Sequence, residues 1–336
     1  MTDSTAEQPS PGQTSQQILE EILKAEKEGT FEKSPEPPRR LPTITDHLVA
    51  FIDILGFSNK IIAAKTDADL KEIYEEVRTV QRELEKPSAV EDPFEQEDVN
   101  LDHGKKVIAL SDGVVVAITS DCKAGPVMTP YDLFMLEIWT IIIAQARCVC
   151  RGIFLRGGIG RGTFFFEDDI LLSPPLVTAY RLETNCAVYP VIVVEAETVD
   201  FLFNQKGRSR YKGNADPSLK YFRPFTSPKY PDAKLYMLDY LPVTRDEDHG
   251  WIFREDYDEY RKASGEEKSA VLYRRDVKNA AWFLGHHKKA VLDAYQAADR
   301  PEVKEKYTWL MNYHNECVPD YDPIFEQHRI EIPVEA

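Results

Sequence analysis

The chain has 336 residues, 43% hydrophobic and 29% charged, a composition that suits one or two globular domains with a sizeable core. Its 57 acidic and 41 basic residues give a formal net charge of -16, which argues against broad attraction to nucleic acid or to an anionic membrane. Five cysteines (Cys122, Cys148, Cys150, Cys186 and Cys317) form neither a CxxC pair nor a Cys/His ligand set, so they read as reduced, buried thiols rather than as a disulfide framework or a zinc site.

Residues 1–44 are rich in Ser, Thr, Gln, Glu and Pro and read as a disordered or loosely docked tail. Within it, Ile18, Leu19, Ile22 and Leu23 fall on one helical stripe. The tail has no apolar leader, and the most apolar stretch, "LEIWTIIIA", is too short to cross a bilayer, so a cytoplasmic protein with no membrane partner is expected. From residue 48, "LVAFIDI" predicts a strand, and 59–86 predicts a helix with Ile61, Ile62, Leu70, Ile73, Val77 and Val80 near 3.6 spacing. "KVIALSDGVVVAIT" predicts two strands about a Ser-Asp-Gly turn, and 130–150 an apolar helix. "GIFLRGGIGRGTFFFEDDILL" reads as a second hairpin, with the glycines of "LRGGIGRG" in a tight turn beside a ligand. A helix through "PLVTAYRLET" and strands at "YPVIVVE" and "KLYMLDYL" follow, then helices near 255–264, 267–297 and 302–317.

This order predicts an α+β fold: a ferredoxin-type split βαβ sheet, mostly antiparallel, with helices on one face and a helical C-terminal extension. The expected bounds are a tail at 1–44, a sheet domain at 45–245 and the extension at 246–336.

Asp53 ends the first strand just before a glycine and a helix start. Taken alone it reads equally as a helix cap. Asp112 alone reads as a turn residue that needs only left-handed backbone. In a split βαβ sheet, however, the turn between strands two and three lies at the C-terminal edge of strand one, so the two carboxylates meet there. Two carboxylates that close repel unless a divalent cation bridges them, and hard cations such as Mg2+ or Mn2+ take carboxylates together with substrate phosphates. The turn at Gly56, Phe57 and Ser58 opens a helix whose first N–H groups suit a phosphate; Gly56 serves either close backbone approach or the turn alone.

Other motifs stay open. Arg156 and Arg161 point either to an anionic substrate or to solvent. Arg181 sits beside Tyr180 on a helix, with a surface pair to Glu183 as the bland alternative. "KGRSRYKGNADPSLKYFRPF" is either a solvated basic loop or a contact to a phosphate or a partner. His286 and His287 read as helix-surface residues.

These motifs together resemble the class III nucleotidyl cyclases over roughly residues 45–245. "FIDILGFS" is similar to that family's first metal motif, which implies that Asp53 and the backbone carbonyl of Ile54 bind two divalent ions, Mn2+ or Mg2+. "LSDGVVVAI" resembles the second metal-Asp hairpin and implies Asp112. "LRGGIGRG" resembles the Gly-rich segment, with Arg156 in the nucleotide site, and "LVTAYRLE" resembles the helix of a transition-state arginine, Arg181. The resemblance also implies a homodimer with shared sites, Arg181 reaching the partner's aspartates.

Two departures bear on the base. The purine enzymes have Asn four residues before that arginine, where this chain has Val177, and adenylyl cyclases have Lys four residues before the second Asp, where it has Ile108. The combination looks most like the stand-alone Pycsar pyrimidine cyclases of anti-phage defence. That resemblance implies conversion of UTP, or else CTP, to a 3′,5′-cyclic nucleotide read by a separate effector. The alternatives are a cytidylate cyclase, an adenylyl or guanylyl cyclase, and a nucleotide-binding regulator without turnover. The net charge and the lack of a basic groove argue against a nucleic acid polymerase.

Overall fold

Apolar residues on both faces put the strand β1 (Thr45–Ile54) inside the sheet, between β3 and β4. The computed structural model describes residues 45–85, 104–110, 113–119, 129–167, 170–205, 207–208, 216–247, 252–319 and 323–333. Asp112, the helical stripe of the tail and much of the basic loop lie outside these residues. The other strands are β2 (Lys106–Leu110), β3 (Gly113–Thr119), β4 (Leu155–Glu167), β5 (Ile170–Leu172), β6 (Ile192–Glu195), β7 (Phe222–Phe225) and β8 (Leu235–Leu238). They run in the order β2-β3-β1-β4-β6-β8-β7, with β5 paired to β4, and among the described pairings β4 with β6 alone is parallel. Because β3 is antiparallel to both β1 and β2, those two run parallel with β3 between them, which is the split arrangement the sequence predicts.

The helices are α1 (Phe57–Ala63), α2 (Asp67–Glu85), α3 (Pro130–Val149), α4 (Pro174–Asn185), α5 (Ala196–Phe203), α6 (Tyr240–Glu247), α7 (Arg254–Lys262), α8 (Gly265–Ala297) and α9 (Pro301–Cys317). One helix was expected over 59–86, and two are present. The break falls where Thr66 and Asp69 cap the second: Asp69 Oδ2 accepts from the N–H groups of Lys65 and Thr66 at 2.8 and 2.9 Å. Those bonds hold the Asp69 carboxyl below its ordinary range.

Strand alternation divides the sheet into two faces. Leu48, Ala50, Ile52 and Ile54 join the large core with Leu84 of α2, Ile138 of α3 and Phe283 and Leu310 of the C-terminal helices. Full burial of each such side chain stabilises by about 1.5–3 kcal/mol. On the other face Val49 packs with Val115, Ala117 and Phe164, joined by Phe51, Ile108 and Leu176 of α4. The C-terminal helices thus share the core of the sheet.

The glycines of "LRGGIGRG" lie within β4 rather than in a turn, which corrects the sequence expectation. A Cβ on Gly158 would stand 2.2 Å from the Ala179 carbonyl oxygen, and one on Gly160 2.5 Å from that of Pro175. The glycines let the α4 backbone rest directly on the strand. His287 also departs from the surface position expected of it. It is fully buried, with Tyr240 Oη 2.8 Å from its Nε2 and His314 Nδ1 2.9 Å from its Nδ1, while His314 Nε2 lies 2.8 Å from the His328 carbonyl. A carbonyl only accepts, so His314 carries its proton on Nε2, His287 donates from Nδ1, and Tyr240 donates to His287 Nε2. One proton per link satisfies the chain with both rings neutral.

Two measurements test this packing. Gly158→Ala should lower stability by about 1–3 kcal/mol in urea denaturation, because α4 must move off the strand. Burial holds both histidines below the usual range, His314 at about 4 and His287 well below, so the unfolded chain takes up protons first. The stability they contribute should be complete above pH of about 6.5 and fall below it, by at most about 1.4 kcal/mol per pH unit for each ring. An unchanged urea midpoint from pH 7.5 to 5 would contradict that assignment.

Candidate active site

Asp53 lies one residue before the end of β1, and only 7% of it is exposed. Its neighbours across the sheet are Gly113 on β3 and Arg156 on β4. Paired residues share a face, so Asp53 and Arg156 both point to the side that carries α4. Arg156 Nε donates to Asp53 Oδ2 at 2.9 Å and lies 2.7 Å from Glu183 Oε1 on α4. The second contact is an ion pair without hydrogen-bond alignment, since Glu183 Oε1 has no aligned donor. Neither Nη group of Arg156 makes a hydrogen bond among the described residues, so four N–H donors remain for something else.

One guanidinium thus serves two buried carboxylates. Asp112 lies outside the described residues, but it directly precedes Gly113, which stands opposite Asp53. Gly113 has no left-handed φ, so a turn geometry does not account for it. Space does, because a Cβ there would meet the Phe51 ring at 2.6 Å. Among the described residues no group of three or more His, Cys, Asp or Glu forms a metal cluster.

Gly56 is the N-cap of α1 with φ of 83°, and a Cβ there would meet nothing within 4 Å. The left-handed turn, rather than crowding, therefore requires the glycine. Ile54 and the Phe57 side chain are buried in the core, while Ser58 is exposed. Arg181 is exposed on α4 and makes no hydrogen bond or ion pair among the described residues. Beside it Val177 is 51% exposed, and Tyr180 packs edge-on against Phe51 with ring centroids 5.5 Å apart. The fold thus gathers Asp53, Ile54, Gly56 and Arg156 at one edge and turns Arg181 outward within its own chain.

Other expectations are revised. Glu183 pairs with Arg156 rather than with Arg181, and its place in the sequence signals this, because position 183 falls on the buried stripe with Pro175, Ala179 and Leu182. Arg161 stacks over the Phe201 ring at 3.9 Å. In the basic loop, Arg208 pairs with Asp216 at 3.3 Å and Arg223 with Asp239 at 3.0 Å, so those two cations serve the fold.

No model of a known protein family matches the chain, and neither does any curated protein. Among solved structures it is similar to the adenylyl cyclase CyaB from P. aeruginosa at 14% identity, over 58% of this chain and 94% of that one, with a TM-score of 0.37. A bacterial light-regulated adenylyl cyclase is similar at 14% identity, over 67% of this chain and 63% of its own, also with a TM-score of 0.37. Likenesses this distant do not say what the chain does. Among the described residues no helix is long and apolar enough to cross a membrane.

Arg156→Met tests the triad. It removes the cation shared by Asp53 and Glu183 and should cost about 2–3 kcal/mol near pH 7 in urea denaturation. An unchanged urea midpoint would show that the shared guanidinium does not carry this stability.

Proposed function

We propose that the chain is a metal-dependent nucleotidyl cyclase that converts a pyrimidine nucleoside triphosphate to the 3′,5′-cyclic monophosphate and pyrophosphate. UTP is the first choice and CTP the alternative. The observation that carries the reading is the pairing at one edge: buried Asp53 opposite Gly113, with Asp112 next in the chain and Arg156 bound to the carboxylate. The product would act as a messenger for a separate effector in defence against phage, as the sequence resemblance implies.

The donor set suits hard divalent cations. Asp53, the Ile54 carbonyl and Asp112 offer oxygen alone. Those three would hold Mg2+ or Mn2+, two ions per site, which would supply Lewis-acid activation of the ribose 3′-hydroxyl for in-line attack on the α-phosphorus. Arg156 keeps its Nε on Asp53 and offers the Nη groups to phosphate oxygens. The backbone at Gly56, Phe57 and Ser58 lines the turn where those phosphates lie. Arg181 is exposed on α4, which suits a role at the α-phosphoryl group of a partner's site in a homodimer with two shared sites.

The pyrimidine assignment rests on two apolar residues. Val177 is exposed on α4 and Ile108 packs with the second apolar cluster, so neither offers a purine the polar contact of the adenylyl and guanylyl enzymes.

The experiment is incubation of the purified chain with ATP, GTP, CTP and UTP in Mn2+ or Mg2+, with chromatography of the cyclic products. Cyclic UMP is expected. Cyclic CMP alone would move the assignment to CTP, cyclic AMP or GMP alone would overturn the pyrimidine reading, and no product from any nucleotide would leave a non-catalytic binder. Asp53→Ala and Asp112→Ala should each lower turnover at least about a hundredfold with the fold retained. Mixed dimers of Asp53→Ala and Arg181→Ala chains should regain one working site, and no recovery would rule out the shared interface.

A further inference from the structure

Lys306 of α9 is half-buried and makes no hydrogen bond or ion pair among the described residues. Its neighbour Tyr307 packs edge-on against Phe154 with ring centroids 5.1 Å apart, and Phe154 stands two residues before Arg156. The Phe154 carbonyl accepts from the N–H of Leu55, two residues after Asp53, at 2.8 Å. The first half of α9 therefore lies against the edge where β1 ends and β4 begins. Burial first, then the charges of Arg156, Arg300 and Lys229, push the Lys306 ammonium below its ordinary range, with Glu302 acting the other way.

In a chain of net charge -16, four cations collected at one edge are a local exception. Glu302 lies 3.4 Å from Arg300, Lys229 is exposed, and the Nη groups of Arg156 have no partner among the described residues. Holding a half-buried ammonium beside like charges costs stability unless an anion answers it. The anion must carry several charges close together, because the cations come from β4, from the 226–234 loop and from α9.

We propose that Lys306 forms a polyphosphate subsite with the Nη groups of Arg156, flanked by Lys229 and Arg300, and that it takes the outer phosphates of the nucleoside triphosphate and the pyrophosphate leaving group. The inference rests on the nucleotidyl cyclase reading and deepens it, since it gives the C-terminal extension a part in binding. Lys306 would reach the β- and γ-phosphates, while Asp53 and its ions serve the α-phosphate.

The test uses inorganic tripolyphosphate without metal, so that it needs no turnover. Isothermal titration of the full chain should show binding, Lys306→Gln should weaken it about tenfold or more, and Lys306→Arg should restore it. Lys289→Gln removes an equal charge from an exposed helix position paired with Asp293 and should leave the affinity unchanged. Thermal unfolding of Lys306→Gln should match or exceed that of the parent, because a repelled charge is removed. The subsite is overturned if the parent does not bind tripolyphosphate, if Lys306→Gln binds as the parent does, or if Lys289→Gln loses as much. Binding lost in Lys306→Gln, with no cyclic product from any nucleotide in the parent, would keep the subsite and discard the cyclase.

Discussion

A single guanidinium nitrogen between two buried carboxylates joins the parts of this molecule that matter for its chemistry. Arg156 Nε reaches Asp53 on β1 and Glu183 on α4, while its own backbone belongs to β4. The contact fixes the α4 register relative to the strand end that bears Asp53. The apolar packing on both faces of β1 supplies the burial that gives these charges their effect, and the charges in turn fix which way that edge faces.

The glycines of β4 have a matching role. With no side chains at 158 and 160, α4 lies against the sheet with Ala179 and Pro175 in backbone contact. Leu176 then faces inward to the second apolar cluster, and Val177, Tyr180 and Arg181 are left at the surface. One helix therefore carries an inward carboxylate for its own chain and an outward arginine. A helix held farther from the strand by larger side chains would weaken the link from Glu183 to Arg156 and shift the outer row with it.

What the sequence revealed depended on how local each cause is. The strand-end position of Asp53 was legible because a carboxylate interrupts the apolar run of β1, and the split connection accounts for Gly113 opposite it. Residues within one helix or hairpin were likewise legible, as the near agreement over α8 and α9 shows. The glycines were misread as a turn because glycine in a turn and glycine beneath a helix look alike until the helix is in place. His287 was read from its polar character, and only its partners Tyr240 and His314, both distant in sequence, make burial tolerable. Lys306 had no local signal at all, because its meaning comes from an edge built by residues 53 to 56 and 154 to 156.

That separation has a consequence for synthesis. Lys306 follows Arg156 by 150 residues, an interval of about 8 to 30 seconds at ribosomal rates of about 5–20 residues per second. For that time the nascent sheet edge has Phe154 and Tyr189 without Tyr307 and Trp309 to cover them. During translation these two rings therefore stay uncovered until α9 has left the exit tunnel.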